Sequence, residues 1–460
     1  MSTATERTAL LADKNVEEQD TTDVDGSTDD GNEKQSSFVT IFSIWNVMMG
    51  TSLVSMPWGY TEAGLATSLV VHVAMVTMTV YTAYIILVCA ANMVDPVTKK
   101  IPELIDMCRI LIGPWTIWLN IIGSSIVFGG ALIVYWILMV ELLYNSVNSF
   151  YYFSDPTTNH TISTLSPHNV TCQLHADLQQ TGIPEWWKKL VLPFIFIPLF
   201  LPILQLRKIT FFSRLGAFGT LSVVILIISV IYKCVTWGFN ANFNDTHSIH
   251  YIPQFKSSFP SLSGLLAMAF FLHNSLTTIF KHNKYQANNV RDLFAGYTLA
   301  FLTYTVIALS IYLAFPGPKS CIKQNFLDNL SYNDEVALAA QLVLFLRMLT
   351  VFPIVAYIFR VQLFTLISGV EYPGKFQVAI FNVLLITSCV LCAVFFPNVG
   401  DIIRYAGAFC GMMIMFVLPC TVRYIYKRKQ GTTNNIETIV LVIVSILGVV
   451  NFIGQFTVSD

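Results

Sequence analysis

Asn46, Gly50, Thr51 and Ser52 fall inside Thr40–Gly59, a stretch long enough to cross a bilayer yet interrupted at its centre by small and polar residues, with Pro57 behind them. Lipid offers the backbone no hydrogen bonds, so a break at that depth is tolerated where it lines a cavity. Unwinding there frees N–H groups at the start of the second half-helix, which suit a carboxylate. It also frees C=O groups at the end of the first half, which suit Na+. Asn46, one turn earlier, adds a side-chain oxygen at the same level. The competing reading is an unbroken helix whose small residues serve close packing.

Other groups at bilayer depth are few. Arg347 and Thr350 stand three apart, on neighbouring faces of one helix. Thr350 is either an oxygen ligand for a cation held at the first helix or a hydroxyl bonded back to its own preceding turn beside Pro353. Arg347 either attracts a carboxylate, pairs with Glu141, or snorkels. His72 and His273 are either proton relays or hydrogen-bonded packing residues. Asn274 sits in the polar cluster Leu272-His-Asn-Ser-Leu-Thr-Thr278 of an otherwise apolar window. Cys389-x-x-Cys392 has no further cysteine or histidine to complete a metal site. Asp401 and Arg404 read as the structural opening of a helix. No phosphate loop, HExxH or GxSxG motif occurs, which leaves no basis for an enzyme.

The elements that must position these residues are membrane helices. The chain of 460 residues is 54% hydrophobic and 12% charged with a mean hydropathy of +0.62, far from the charge content of a soluble domain. A net charge of -1 argues against a nucleic-acid partner. Eleven apolar windows occur, near 38–60, 65–91, 115–144, 189–206, 211–236, 259–280, 294–315, 335–367, 376–396, 400–425 and 436–457. Residues 37–460 therefore read as one all-α polytopic domain. Residues 1–36 are a polar, acidic tail of disordered composition. Within it Glu6 precedes Leu10 and Leu11, the pattern of an acidic dileucine signal read by adaptor proteins that sort cargo to lysosomes.

With the N-terminus in the cytosol and the C-terminus lumenal, twelve Lys and Arg residues fall in inner loops and five in outer ones, the positive-inside bias. The four Asn-x-Ser/Thr sequons, at Asn159, Asn169, Asn244 and Asn329, then all face the same outer side and are candidate glycosylation sites. Cys172 and Cys321, the two cysteines in long polar loops, share that side and are a disulfide candidate. Five helices, a second five inverted, and one peripheral helix is the division an odd repeat allows. It predicts that the sixth helix is broken like the first.

Ile41-Phe-Ser-Ile-Trp-Asn46-x-Met-Met-Gly-Thr51-Ser, Phe345-x-Arg-Met-Leu-Thr350-Val-Phe-Pro and Ile402-Ile-Arg-Tyr-Ala-Gly-Ala-Phe-Cys-Gly411 carry a resemblance. Together they resemble the amino acid/auxin permease superfamily, and within it the sodium-coupled neutral amino acid transporters, nearest to their arginine-responsive lysosomal branch. The resemblance spans nearly all of residues 38–457. It implies a LeuT-like core of 5+5 inverted helices plus one. It also implies Na+ at Asn46 and Thr350, and an amino acid at Thr51 and the backbone around Gly50 and Ser52. The Cys172–Cys321 disulfide is implied too. In the resembling branch a longer cytosolic tail docks a lysosomal scaffold and its small GTPases, whereas about 37 residues precede the first helix here.

The expected function is a secondary active transporter of arginine or neutral amino acids, embedded in the lysosomal or late endosomal membrane. It exports them to the cytosol and contributes to nutrient sensing upstream of the growth-controlling kinase complex. The alternative is an amino acid sensor with little flux. Coupling to Na+, to H+ or to neither stays open at this stage. With no acidic residue in the first or sixth helix, a cationic substrate needs backbone carbonyls or Asn274.

Overall fold

The computed structural model describes residues 35–94, 101–154, 183–206 and 217–458. Glu6, Leu10, Leu11, Asn159, Asn169 and Cys172 lie outside the described residues. Sixteen α-helices follow one another, with no strand beyond two isolated bridges among the described residues. The first apolar window folds as α1 (Ser37–Met48) and α2 (Ser52–Ala63), bent by 60° at the break. The chain continues through α3 (Leu65–Asn92), α4 (Leu104–Leu111), α5 (Thr116–Ser154), α6 (Glu185–Leu190), α7 (Leu192–Leu204) and α8 (Ala217–Trp237). The sixth window is divided into α9 (Pro260–Ala269) and α10 (Leu276–Lys281), with Phe270–Ser275 unwound between them. Then come α11 (Asn289–Ala314), α12 (Glu335–Ser368), α13 (Lys375–Phe395), α14 (Val399–Cys410), α15 (Leu418–Lys429) and α16 (Asn435–Gly454). A π-helical stretch, Gly411–Val417, joins α14 to α15.

Among the described residues nine helices are long and apolar enough to cross a membrane, ten with the bent pair counted as one span. The expected eleventh is the divided sixth window, whose halves of 10 and 6 residues are each too short to span alone. The break that the polar cluster Leu272–Thr278 suggested is present without a proline or glycine at its centre.

Local chemistry sets the helix ends. Asp334 caps α12 by accepting from Val336 and Ala337 N–H at 3.1 Å, and Gly369 closes that helix in the left-handed conformation at φ 71°. Asn434 caps α16. Arg360 is buried and donates to the carbonyls of Leu204 and Leu206, satisfying the C-terminal end of α7 with a cation. At the start of α1, Gln35 exchanges backbone hydrogen bonds with the turn after α10, at 2.7 Å to His282 O and 2.8 Å from Lys284 N–H.

α2 packs on α9, α1 on α11, α9 on α14 and α5 on α12, so both breaks end up in the middle of the bundle. Glycine makes the tightest of these approaches possible. A Cβ on Gly296 would lie 2.5 Å from Ile44, and one on Gly264 would lie 2.6 Å from the Arg404 carbonyl. Seven cysteines are free thiols, Cys389 and Cys392 among them. Cys321 is not one of the seven.

Candidate functional site

The break between α1 and α2 leaves carbonyls without intrahelical partners, and in a desolvated interior each must be satisfied from elsewhere. The carbonyl of Met48 accepts from the Tyr304 hydroxyl of α11 at 2.5 Å and from Gly50 N–H at 2.6 Å. The carbonyl of Met49 accepts from Arg347 Nη2 of α12. The second Arg347 nitrogen, Nη1, donates to Gly219 O at 3.1 Å and to Ser222 Oγ at 3.4 Å, both on α8. Arg347 is 8% exposed. Its expected alternative partner Glu141 is engaged elsewhere, by Asn325 at 3.1 Å and Lys188 at 3.8 Å. Arg347 neither pairs with Glu141 nor reaches out of the bundle: backbone carbonyls hold it.

On the other side of the break the N–H groups are poorly engaged. Leu53 N–H reaches Gly50 O at 3.4 Å, long for a helical bond, and Val54 N–H reaches Thr51 O at 3.2 Å, at the upper end of the usual range. Thr51 and Ser52 beside them are buried, at 6% and 3% exposure. Tyr135 of α5 completes the surroundings, its hydroxyl 3.8 Å from where a Cβ on Gly50 would stand. The arrangement offers a carboxylate the N-terminal end of α2, while the carbonyl end of α1 is taken by Tyr304 and the Arg347 guanidinium.

The break in the sixth helix stands against the same tyrosine. Tyr304 Oη lies 3.4 Å from Ala269 O, and Tyr297 donates to Phe270 O at 3.3 Å. Asn274, within this break, donates to Ser124 Oγ of α5 at 3.2 Å, and Gln362 of α12 donates to the same hydroxyl at 3.0 Å. Asn274 Oδ1 is buried and has no partner. The sequence reading had Asn274 in this neighbourhood but missed Ser124, Gln362, Tyr135 and Tyr304. A buried tyrosine at mid-span is a signal of its own, since its hydroxyl requires a partner.

Of the expected Na+ ligands, Asn46 Oδ1 is buried and unpartnered, 3.1 Å from where a Cβ on Gly219 would stand, which suits an open ligand. Thr350 donates its hydroxyl hydrogen to its own helix at Arg347 O, 2.8 Å away, which leaves the oxygen lone pairs. The two histidines are hydrogen-bonded within the bundle. His72 Nδ1 meets Tyr60 Oη at 3.0 Å and His273 Nε2 meets Thr82 Oγ1 at 2.9 Å. Asp401 and Arg404 form an ion pair at 2.9 Å within α14, with Arg404 also on Ser261 of α9 at 3.0 Å, which ties two helices together. Asn244 is exposed in the loop before α9. The Asn329 amide is committed inside its loop, donating to Cys321 O and accepting from Lys323 N–H, each at 2.8 Å.

A groove of about 320 Å³ lies between α7 and α13, lined by residues such as Phe194, Ile197, Val390 and Leu391. Its walls present no charged group to orient an amino acid, so the breaks are the candidate site. Among the described residues no cluster of three or more His, Cys, Asp or Glu side chains is placed to hold a metal ion.

The profile of the family described as "Transmembrane amino acid transporter protein" matches residues 33–459. The chain is 38% identical over 453 residues to "Neutral amino acid transporter 9" of Danio rerio, covering 92% of this chain and 81% of that one. It is 36% identical to the Rattus norvegicus protein of the same name over 452 residues, 93% and 80% of the two chains. To the "Sodium-coupled neutral amino acid transporter 9 homolog" of Caenorhabditis elegans it is 35% identical over 455 residues, 92% and 74% of the two.

Proposed function

Because this chain belongs to the transmembrane amino acid transporter family, we propose that it carries amino acids across the lysosomal or late endosomal membrane by alternating access, from lumen to cytosol. The carrying observation is the pair of breaks facing one tyrosine, Tyr304, whose hydroxyl lies 2.5 Å from Met48 O and 3.4 Å from Ala269 O. An amino acid between them meets α2 N–H groups, Thr51 and Ser52 with its carboxylate, and Asn274 Oδ1 toward its other end. Two broken helices, one in each half of the chain, are also typical of substrate sites in inverted-repeat transporters. Counting the divided sixth helix as one span gives eleven, arranged as five plus five plus one, with a cytosolic N-terminus. In this reading the outer loops carry the Cys172–Cys321 disulfide and glycans at Asn159, Asn169, Asn244 and Asn329, and Glu6, Leu10 and Leu11 supply the sorting signal.

A second reading, a nutrient sensor acting upstream of the growth-controlling kinase complex, is favoured by the clamp of Gln35 onto His282 and Lys284. The root of the tail is tied to the end of the broken sixth helix, so a movement of α10 is passed to whatever scaffold or small GTPase the tail binds. Flux and equilibrium binding of radiolabelled leucine and arginine, measured on one preparation of purified protein in liposomes, separate the two. Saturable flux is the expected result. Binding without flux in folded protein moves the assignment to the sensor.

A further inference from the structure

Arg347 is a charge in an expensive place. It is 8% exposed, and no ion pair to a carboxylate is formed by it among the described residues. A buried guanidinium costs much of its hydration, and a carboxylate is the usual compensation. Its actual partners are neutral oxygens: the Met49 carbonyl at the break, the Gly219 carbonyl and the Ser222 hydroxyl on α8. Two carbonyls and a hydroxyl converging from a broken helix and a neighbouring helix are the hard, neutral donor set that Na+ takes in such sites. The positive charge also sits where it counters the negative end of α1.

The two side-chain oxygens expected to serve a diffusible ion are not among the partners of the guanidinium. Thr350 donates its hydroxyl hydrogen to Arg347 O. Asn46 Oδ1 is left without a partner beside Gly219, the same residue whose carbonyl Arg347 binds. A second cation brought among these oxygens meets the guanidinium at short range in a desolvated site, where like charges repel strongly. Arginine keeps its proton at any physiological pH, so this charge is permanent.

We infer that Arg347 is a tethered cation that takes the place of Na+ at the break between α1 and α2, so that the protein works without binding Na+. The inference rests on the break being the substrate site, and its consequence for ion binding can be read whether or not flux is observed. Withdrawing the guanidinium exposes the Met49 and Gly219 carbonyls, Ser222 Oγ and Asn46 Oδ1 together, an oxygen cage open to Na+.

The test uses the full-length protein, wild type and the variants Arg347→Gln and Arg347→Lys. Two readouts are taken: radiosodium retained by purified protein, and amino acid flux in liposomes with Na+ replaced on both sides by N-methylglucamine. The wild type is expected to hold no radiosodium and to transport equally in both media. Arg347→Gln is expected to gain radiosodium binding and to depend on Na+, while Arg347→Lys, which keeps the charge, stays indifferent to it. Radiosodium held by the wild type overturns the inference, as does wild-type flux that disappears without Na+. So does an Arg347→Gln protein that folds, gains no Na+ binding and transports without Na+. If Arg347→Gln fails to fold, or if the protein moves no substrate, wild-type radiosodium binding alone decides: its absence supports the tethered cation and its presence refutes it.

Discussion

The hydroxyl of Tyr304 lies 2.5 Å from the carbonyl oxygen of Met48, the last residue of the first half of the broken helix. This one contact links a span of the second half of the chain to the break in the first, and the same hydroxyl lies 3.4 Å from Ala269 O at the other break. Without it the Met48 carbonyl would keep only the tight turn bond from Gly50 N–H. Tyr304→Phe is predicted to lower stability by about 1–3 kcal/mol, the usual cost of leaving a buried polar group short of a partner. The melting temperature in detergent and the flux should fall together. A variant with wild-type melting and wild-type flux would show that the contact has no structural weight.

Helix contacts on either side of the site depend on glycine in one case and not in another. A Cβ at Gly264 would meet the Arg404 backbone carbonyl at 2.6 Å and Gln455 Oε1 at 2.9 Å, and the carbonyl is not free to move aside. Gly264→Ala should therefore separate α9 from α14 and cost about 1–3 kcal/mol, as overpacking does. Gly129, in α5, has nothing within 4 Å of the same position, so Gly129→Ala should be neutral or gain about 0.5–1 kcal/mol of helix stability. Thermal melts of the two variants side by side check the contrast, and equal effects would contradict it.

Lys319, in the turn between α11 and α12, is buried and donates from Nζ to Phe315 O at 2.8 Å. Burial pulls its ammonium down from 10.5 to about 8. The folded-state value lies below the unfolded one, so the charged lysine opposes folding at all pH values below about 8. That cost is relieved as pH rises from about 8 toward 10.5. Lys319→Met should raise the melting temperature at neutral pH and remove the part of its increase that falls in this window. Melts recorded across the window check this, and an unchanged slope would contradict it. Nearby His250 is held below its ordinary value by burial and by the Lys319 charge, so the same variant should let it titrate at higher pH.

Much of the fold was legible because bilayer depth demands long apolar runs. Among the described residues nine of the eleven windows hold a helix long and apolar enough to cross a membrane, the bent pair fills a tenth, and Gly50-Thr51-Ser52 marked its break in plain composition. The sixth break was legible only through its polar cluster, since the unwound Phe270–Ser275 holds neither proline nor glycine. The partners of Arg347 were not legible. Carboxylate pairing and snorkelling are readable as residue types, whereas Met49 O and Gly219 O are backbone atoms whose availability depends on where a helix stops and which helix packs beside it. The contacts of Ser124 with Asn274 and Gln362 likewise join three helices far apart in the chain. The π-helical turn at Gly411–Val417 left no sequence signal we could identify.

The central claim is that the amino acid binds at the break between α1 and α2, where Thr51 is 6% exposed and Ser52 3%. The direct measurement is uptake of radiolabelled leucine and arginine into liposomes by wild type and Thr51→Trp, with the oligomeric profile and melting temperature of both proteins recorded to establish folding. An indole at position 51 fills the space beside the α2 N–H groups, so folded Thr51→Trp is predicted to lose saturable uptake and binding alike. A folded Thr51→Trp protein that transports as the wild type does would place the substrate elsewhere and contradict the account.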